Sequence, residues 1–385
     1  MNISSKNRCF LVTCMLVVFL LGALSIDCLC QTRAKTHIDI PDIPGYITMK
    51  CDFHMHTVFS DGSVWPQIRA EEAWRQGLDA FSITDHIEYQ PHKDDVITNH
   101  YKPYEIARPA AEALQVLIIP GGEITRSEPI GHHNAIFLTD INALDTPDST
   151  IAIRNAAEQG GFVFWNHPGW KQPDGKAVWF PIQSEIYDQG WLHGIEVVNG
   201  ASYYPNAHAW CLEKKLTMMC SSDVHGPINL DYDIYNGQHR PMTLVFVKRK
   251  TENELKKALF DRRTAVYYNN ILIGEEKYLE PLFNASVEIL NPKIVIEGNS
   301  RVVVQISNTS DVSYELVADG ETEGISIPNS LTLHAHKTVR CTIRRTSETL
   351  SGTKRIRMKY KVTNLLVAPE EGLSVELPLR ITFVR

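Results

Sequence analysis

The feature that most constrains this 385-residue chain is a pair of histidines one residue apart, His54 and His56, at the end of an apolar stretch. Alternate side chains of a β-strand point to the same face of the sheet, so the two imidazoles can bind one metal ion together. The segment Ser60-Asp61-Gly62 follows and brings Asp61 within reach of the same ion. A single His-x-His pair also arises by chance on solvated strands, so the prediction depends on the rest of the chain.

Five further segments carry potential metal ligands beside short apolar runs. Four follow a run rich in Ile, Val, Phe or Met and the last opens one: Thr84-Asp85-His86, Gly121-Gly122-Glu123, Asn166-His167-Pro168, Ser222-Asp223-Val224-His225 and Gly131-His132-His133-Asn134. Apolar runs that end in ionisable residues are typical of buried parallel strands that deliver side chains to one rim of a barrel. We therefore expect an α/β barrel with one site built from many strands.

The order of these motifs, from about residue 48 to residue 275, resembles the PHP (polymerase and histidinol phosphatase) family of metal-dependent phosphoesterases. The resemblance implies a distorted (β/α)7 barrel with up to three divalent ions in a cup at the C-terminal rim of the strands. It also implies their ligands. One ion would take His54, His56, Glu123 and Asp223; a second would share Glu123 and take His167 with His132 or His133; a third would take Asp61, His86 and His225.

Two of these ligand positions are distinctive. Many relatives have histidine where this chain has Asp61, and an oxygen ligand there would favour harder ions. His132 and His133 are neighbours on a predicted strand and face opposite ways, so only one of them can enter the cup. We favour His132, because the form Gly-His-x-Asn resembles that of similar secreted relatives.

The chemistry that follows is hydrolysis. Clustered divalent ions, whether Zn, Mn, Fe or Mg, lower the pKa of a bridging water, so a metal-bound hydroxide can attack a phosphoester without a protein nucleophile. The sequence has no Gly-x-Ser-x-Gly elbow, no P-loop and no Rossmann glycine run. We predict a phosphoester hydrolase with two to three ions. Two alternatives stay open: a metallohydrolase acting on a non-phosphate ester or amide, and a catalytically silent, metal-stabilised protein that binds through its C-terminal domain.

Several residues near the predicted cup allow two interpretations. Asp85 is expected either to fix the tautomer of a neighbouring histidine or to cap a helix. Arg126 and Lys171 could meet a phosphate at the rim, although solvated surface charge is favoured for both. Asn199 could bind a substrate oxygen or serve as a turn residue. Tryptophans crowd one stretch, and packing under loops is favoured over walls for a sugar or base; they are Trp165, Trp170, Trp179, Trp191 and Trp210.

The first 30 residues have the pattern of a secretory signal peptide. Basic residues precede an apolar run over residues 9–24, which is short for a membrane span. Cleavage before Gln31 would release an exported protein, periplasmic or extracellular, with membrane contact only through the leader. An uncleaved anchor and a lipid on Cys28 or Cys30 are less favoured.

The charge of the chain limits its partners. A formal net charge of −7 gives no basis for stable binding to nucleic acid. We expect instead a small phosphorylated substrate outside the cytoplasm, such as a nucleotide, a sugar phosphate or a glycan phosphate.

From about residue 281 the sequence changes to short alternating segments separated by turn residues. About a hundred residues of this kind predict an immunoglobulin-like β-sandwich. The expected organisation is a signal peptide over 1–30, the PHP-type barrel over 31–280 and the sandwich over 281–385. A second His-x-His pair, His334 and His336, has no further ligand near it in the sequence and is predicted to lie on a solvated strand.

Overall fold

The structure, a computed structural model, describes residues 34–97, 99–347 and 349–384. The predicted signal peptide lies outside these ranges. An α/β part comes first and a β-rich part follows. The strands of the α/β part are β1 (Ile47–Asp52), β2 (Ala80–Ile83), β3 (Leu117–Ile124), β4 (His133–Ile136), β5 (Phe162–Trp165), β6 (Gly194–Asn199), β7 (Ser202–Tyr203), β8 (Thr217–Ser221), β9 (Met242–Val247), β10 (Thr264–Tyr268) and β11 (Ile271–Gly274).

Helices alternate with these strands, and short 3-10 turns occur at Asn142–Leu144 and Ile234–Asn236. The helices are α1 (Pro66–Arg75), α2 (Lys102–Ala113), α3 (Ser149–Glu158), α4 (Pro181–Asp188), α5 (Pro205–Lys214), α6 (Ile228–Asp231), α7 (Glu252–Phe260) and α8 (Glu276–Ser286).

The first sheet mixes parallel and antiparallel pairs. β1, β2 and β3 run parallel, and so do β5, β6 and β8. β4 lies between these two groups and is antiparallel to both of its neighbours. Because β4 runs in the opposite direction, the rim that receives the carboxyl ends of its neighbours meets the beginning of β4, where His132 and His133 lie.

Side chains and loops close the barrel between its first and last parallel strands. Oγ1 of Thr243 on β9 accepts a hydrogen bond from the backbone N of Cys220 and donates one to its O, at 2.9 and 2.8 Å. Beyond β1, Met55 forms a parallel bridge with Val224. The strand ends that carry the histidine pair and Asp223 are thereby held side by side.

The β-rich part is a sandwich, as predicted. Its strands are β12 (Val287–Ile289), β13 (Lys293–Glu297), β14 (Arg301–Asn308), β15 (Tyr314–Ala318), β16 (Ile325–Ser326), β17 (Ser330–Leu333), β18 (Lys337–Arg345), β19 (Gly352–Ala368) and β20 (Glu371–Val384). One sheet has the order β12-β14-β18-β16, and β13, β20, β19, β15 and β17 pair in the other. An α/β domain followed by a sandwich agrees with the predicted fold class.

The two parts share one sheet. β19 pairs in parallel with β11, with Leu272 opposite Leu365. Near this junction Nδ2 of Asn364 donates to the backbone O of Asn270 and of Ser313, at 2.7 and 2.8 Å. Pairing with β19 covers an edge of β11 that would otherwise be exposed, and Asn364 joins the residue before β11 to the sandwich, so the sandwich braces the α/β part.

The apolar core also extends across both parts. One cluster of buried side chains runs from α1 and α2 through Leu279, Leu282 and Phe283 of α8 into the sandwich. The cysteines in the described ranges, at positions 51, 211, 220 and 341, are buried and free. No helix within those ranges combines the length and the apolar composition needed to span a membrane.

Candidate metal centre

His54 and His56 follow β1 in extended backbone, and their side chains are fully buried. Phe53 and Met55, which alternate with them, enter the apolar clusters. The Nε2 atoms of the two histidines lie 3.1 Å apart. Both imidazoles therefore face one point, as the alternation of the sequence predicts.

Two carboxylates converge on these histidines. Oδ1 of Asp223 lies 3.1 Å from Nε2 of His54 and 3.0 Å from Nε2 of His56. Oε2 of Glu123 lies 3.5 and 3.4 Å from the same two nitrogens. The four residues that the resemblance implies for one ion are therefore together in the structure.

Glu123 faces a second group with its other oxygen. Oε1 lies 2.8 Å from Nδ1 of His132 and 3.8 Å from Nε2 of His167. His133 points the other way, with its Nε2 3.3 Å from Oε1 of Gln183. Burial lowers the pKa of His133 to about 4. The structure brings His132 into the cup and leaves His133 outside it.

The third group surrounds Asp61. Its Oδ1 lies 3.2 Å from Nε2 of His225 and 3.5 Å from Nε2 of His86. The ring of His56 stacks on that of His225, with centroids 4.1 Å apart, so this group adjoins the first. Nδ1 of His86 also lies 2.7 Å from Oε2 of Glu123. The three groups share members and form one continuous cluster.

The cluster fits the divalent ions that the resemblance implies. Within the cluster, three carboxylate oxygens are buried and accept no well-aligned hydrogen bond from the described residues, although an imidazole nitrogen lies 2.7 to 3.2 Å from each: Oδ1 of Asp61, Oε2 of Glu123 and Oδ1 of Asp223. An unpaired, buried carboxylate oxygen is strongly unfavourable unless a cation compensates it. Donor atoms within 4.8 Å of one another define four overlapping sets in the cluster: His56, Asp61, His86 and His225; His54, His167 and Asp223; His54, His56 and Glu123; and His86, Glu123 and His132. Mixed imidazole and carboxylate donors suit Zn, Mn and Fe, and the carboxylates also suit Mg.

Electrostatics hold Glu123 and His56 in their metal-binding forms. Burial alone would raise the pKa of Glu123, but the charges of His86 and His54 outweigh it and hold that pKa well below its usual value. Burial, reinforced by the charge of His86, lowers the pKa of His56 to about 3. Metal ions bind carboxylates and neutral imidazoles, so these two side chains do not have to lose a proton first. His54 and His86 do, because neighbouring carboxylates outweigh burial and raise the pKa of both imidazoles, that of His86 to about 10.

Two of the predicted ligands lie in strained backbone. Asp223 has φ of 55° and His167 has φ of 26°, a left-handed region that residues other than glycine rarely adopt. Each follows the end of a strand, β8 for Asp223 and β5 for His167. Such strain persists where the surrounding structure over-determines it, and it concentrates at functional sites.

Asp85 holds the loop that leads to Asp61. Its Oδ1 accepts hydrogen bonds from the backbone N of Thr57 and from Oγ of Ser60, both at 2.6 Å. Its Oδ2 accepts one from Oγ1 of Thr57 at 2.6 Å. Asp85 hydrogen-bonds no histidine and caps no helix in the described ranges, so both expectations for it are wrong. Its oxygens instead accept from two side-chain hydroxyls and one backbone amide of the 57–60 loop.

Glu196 is a buried residue that the sequence analysis missed. Its Oε1 lies 2.9 Å from Nδ1 of His54, and a carboxylate accepts, so Nδ1 carries the hydrogen and Nε2 is directed into the cup. Its Oε2 accepts from the backbone N of His167 at 2.8 Å and from Nδ2 of Asn199 at 2.9 Å. The available signal was an acidic residue in the middle of the apolar strand β6.

Arg69, also missed, lies on the buried face of α1 and links two ligand-bearing segments. All five of its N–H groups donate. They reach the backbone O of His56 (2.9 Å), Gly226 (2.8 Å), Val224 (3.1 Å) and His225 (2.9 Å), and Oε2 of Glu72 (2.6 Å). A planar guanidinium fits such a set of acceptors and an ammonium does not. The sequence signal was an arginine on the same helical face as two buried alanines, Ala70 and Ala73.

The two cations expected near the rim differ in their surroundings. Arg126 lies with its Nη1 2.7 Å from Oε1 of Glu88, and its Nη2 donates to the backbone O of Thr146 at 2.6 Å. Lys171 is exposed, with its Nζ 4.0 Å from the ring centroid of Trp170. Arg126 is thus an anchored, partly neutralised charge, and Lys171 is a surface charge.

Four of the five tryptophans pack as predicted. Trp165, Trp179 and Trp210 contact one another with ring centroids 5.2 to 6.0 Å apart, and Trp191 packs against the same cluster. Trp170 is different. It is 47% exposed and lies with its ring centroid 5.1 Å from those of both His132 and His167.

The second His-x-His pair departs from its prediction. His334 and His336 lie in the connection between β17 and β18, and not on a strand. Nε2 of His336 is 2.7 Å from Oδ1 of Asp311 and 3.8 Å from Oδ2 of Asp39, so acidic partners from distant segments are present after all. The group is exposed and its members already pair with one another.

Comparison with known proteins supports the same family. The structure is similar to that of a two-domain protein containing a predicted PHP-like metal-dependent phosphoesterase from Bacteroides vulgatus ATCC 8482. The two are 43% identical, the match covers 91% of this chain and 100% of the other, and the TM-score is 0.85. The chain belongs to this PHP-like family. Residues 287–378 of this PHP-like chain match a family of Ig-like domains, so the sandwich is Ig-like.

More distant similarities add little. A protein from Bifidobacterium adolescentis ATCC 15703, assigned as a metal-dependent phosphoesterase, is 18% identical, with 46% of this chain and 88% of the other covered and a TM-score of 0.37. An amidohydrolase from Chromobacterium violaceum is 16% identical, with the same coverages and a TM-score of 0.35. Likenesses this weak carry no argument here. No curated protein matches the chain.

The opposite orientations of His132 and His133 give a first prediction. His132→Ala should lose one equivalent of bound metal, because a nitrogen beside Oε1 of Glu123 is removed. His133→Ala is the matched control and should keep full metal content, since its ring contacts Gln183. Metal analysis by mass spectrometry of both reconstituted variants checks this. Loss of metal in His133→Ala alone would contradict the orientation described here.

The five bonds of Arg69 give a second prediction. Arg69→Lys should lower the free energy of unfolding by about 3 kcal/mol, because buried carbonyls lose their donors. The ion near Asp61 and His225 should also dissociate at lower chelator concentration than in the unchanged protein. Arg75→Lys, on the same helix, is the control and should stay within about 0.5 kcal/mol. Equal stability and equal chelator resistance of the two variants would disprove the linking role of Arg69.

Proposed function

We propose that this PHP-like protein hydrolyses phosphoester bonds of a small phosphorylated compound, using two to three divalent ions. The observation that carries the proposal is the convergence of histidine nitrogens on three buried carboxylate oxygens, of Asp61, Glu123 and Asp223, that accept no well-aligned hydrogen bond. When bound, divalent ions hold phosphate oxygens, acidify water and neutralise the charge of the leaving oxygen. The ligands implied for them are those of the three groups described above.

The chain's own residues hold these donors in place. Glu196 keeps Nε2 of His54 directed into the cup, and Asp85 fixes the loop before Asp61. Nδ1 of His86 lies 2.6 Å from Oγ1 of Thr125. Orienting contacts of this kind raise metal affinity because the donors lose little freedom on binding.

The site is open, which favours catalysis over a structural metal. The side chains of Asp61, Asp223 and His225 are 27%, 20% and 40% exposed, so the cup has a mouth on this side. Structural metal sites are normally closed by their protein ligands. A silent protein stabilised by metal is therefore a weaker account of this cluster.

The hydroxyls beside the cup support attack by water and not by a serine. Oγ of Ser60 donates to Asp85, and Oγ of Ser222 donates to Oδ2 of Asp52 at 2.5 Å. Burial raises the pKa of Cys51 and of Cys220 well above the usual value, so neither thiol is an available thiolate.

The substrate that we propose is a small phosphate ester outside the cytoplasm. The net charge of −7 supports a small ligand over nucleic acid. Export rests on the signal-like residues 1–30, which lie outside the described residues. A mature N-terminus at Gln31, measured by mass spectrometry on protein from its native host, is the expected result. A chain that retains Met1 would contradict cleavage.

The decisive test joins metal content to turnover. Protein purified without added metal is analysed by mass spectrometry, reconstituted with Mn or Zn, and assayed on bis(p-nitrophenyl) phosphate and p-nitrophenyl phosphate. We expect two to three ions, and a fall in kcat/KM of more than about 100-fold in His54→Ala, because a donor shared by two groups is lost.

The control is His334→Ala, which removes an exposed histidine far along the chain and should keep both metal and activity. Reconstituted protein that binds no metal would refute the proposal. Hydrolysis of p-nitrophenyl acetate with no phosphoester turnover would show that the protein is a carboxyl esterase instead.

A further inference from the structure

A cavity of about 300 Å³ opens beside the cup. It lies between the segment that follows β3 and the segment that follows β5. His132 and His167 form part of its wall. An ester whose phosphate is held at these two histidines would therefore direct its leaving group into this cavity.

Trp170 is the aromatic surface of the cavity. Unlike the tryptophans that pack on one another, it leaves 47% of its surface exposed. Its ring meets those of His132 and His167 at 63° and 70°, in edge-to-face contacts. Nζ of Lys171 lies 4.0 Å from its ring centroid. A bound ring would replace this exposed ammonium on the half-exposed indole, which lies against two predicted metal ligands.

The cavity also has polar groups of both signs. Arg126, Glu128 and Lys171 line it, and Arg126 is already paired with Glu88. The remaining charges of Glu128 and Lys171 oppose each other, so the cavity is close to neutral. It does not favour a second phosphate, but it offers a carboxylate acceptor and cationic donors for hydroxyl groups.

Gly131 leaves room at one side of the cavity. It has φ of 70°, and a Cβ there would lie 3.2 Å from Nε1 of Trp165 and 3.5 Å from Oε1 of Glu128. Without a side chain at this position, the indole N–H and the carboxylate both border the open space. A volume near 300 Å³ is at the lower end of the range for ligand sites, about 300 to 1,000 Å³, and suits one ring.

We propose that this cavity binds the leaving group of the phosphoester and that the leaving group is a single sugar ring. The C–H groups on a sugar face carry partial positive charge and complement the negative face of an indole, while the hydroxyls at the ring edge meet Glu128 and Arg126. The assignment rests on the proposed function and narrows its substrate to a monosaccharide phosphate.

The test compares leaving groups on Mn-reconstituted protein. The substrates are glucose 1-phosphate, glycerol 1-phosphate, which has no ring, and AMP. Trp170→Ala should raise KM for glucose 1-phosphate about tenfold more than KM for glycerol 1-phosphate, in line with the loss of one stacking contact. Trp65→Ala is the matched control, because Trp65 is also 47% exposed and does not line the cavity. This variant should leave the ratio of the two KM values unchanged.

Two further measurements keep the assignment testable if Trp170→Ala is unstable. Glu128→Gln, at an exposed position, should raise KM for glucose 1-phosphate more than KM for glycerol 1-phosphate. Glucose 1-phosphate should quench tryptophan fluorescence in the unchanged protein and less in Trp170→Phe. Metal content of every variant is measured in parallel, and equal content separates a substrate effect from loss of ions.

The outcomes separate this assignment from the proposed function. Equal hydrolysis of the glucose and glycerol esters, or equal losses for both in Trp170→Ala, would overturn the sugar site while phosphoester hydrolysis stands. A preference for AMP that depends on Trp170 would replace the sugar with a nucleoside. If glucose 1-phosphate quenches the fluorescence of Trp170 but no phosphoester is hydrolysed, the proposed function is overturned and sugar binding in the cavity is supported.

Discussion

The buried carboxylate of Glu123 is the constraint on which the rest of the site depends. Its two oxygens lie within 4 Å of nitrogens on His54, His86, His132 and His167, which come from four separate segments. A carboxylate at this depth is tolerable only when cationic charge surrounds it. The barrel must therefore bring each of these strand ends to within a few ångströms of one side chain.

That precision comes from polar contacts outside the ligands themselves. Asp85 gathers the loop before Asp61, and Glu196 orients His54 while holding the backbone of the strained residue His167. Arg69 donates to backbone oxygens of the irregular chain at two strand ends and ties the two segments together. Irregular backbone at a buried site is stable only if its polar groups are paired in this way.

The sandwich contributes to the fold and adds no residue to the cluster in the described ranges. Its β19 pairs with β11, and Asn364 satisfies backbone groups at the junction. An unpaired edge at β11 would expose backbone donors and acceptors. The apolar core that passes through α8 makes the same connection, so we regard the two parts as one cooperative structure.

The sequence by itself determined the strand-end motifs, the alternation that aims His54 and His56 together, and the two-part α/β and β-sandwich organisation, because these depend on local periodicity. Tertiary structure alone decided the rest. The antiparallel direction of β4 brought the pair His132 and His133 to the rim, hydrogen bonds from the 57–60 loop engaged Asp85, and packing of α1 made Arg69 a link between two segments. Each depends on contacts between separate segments of the chain, whose meeting no local pattern encodes.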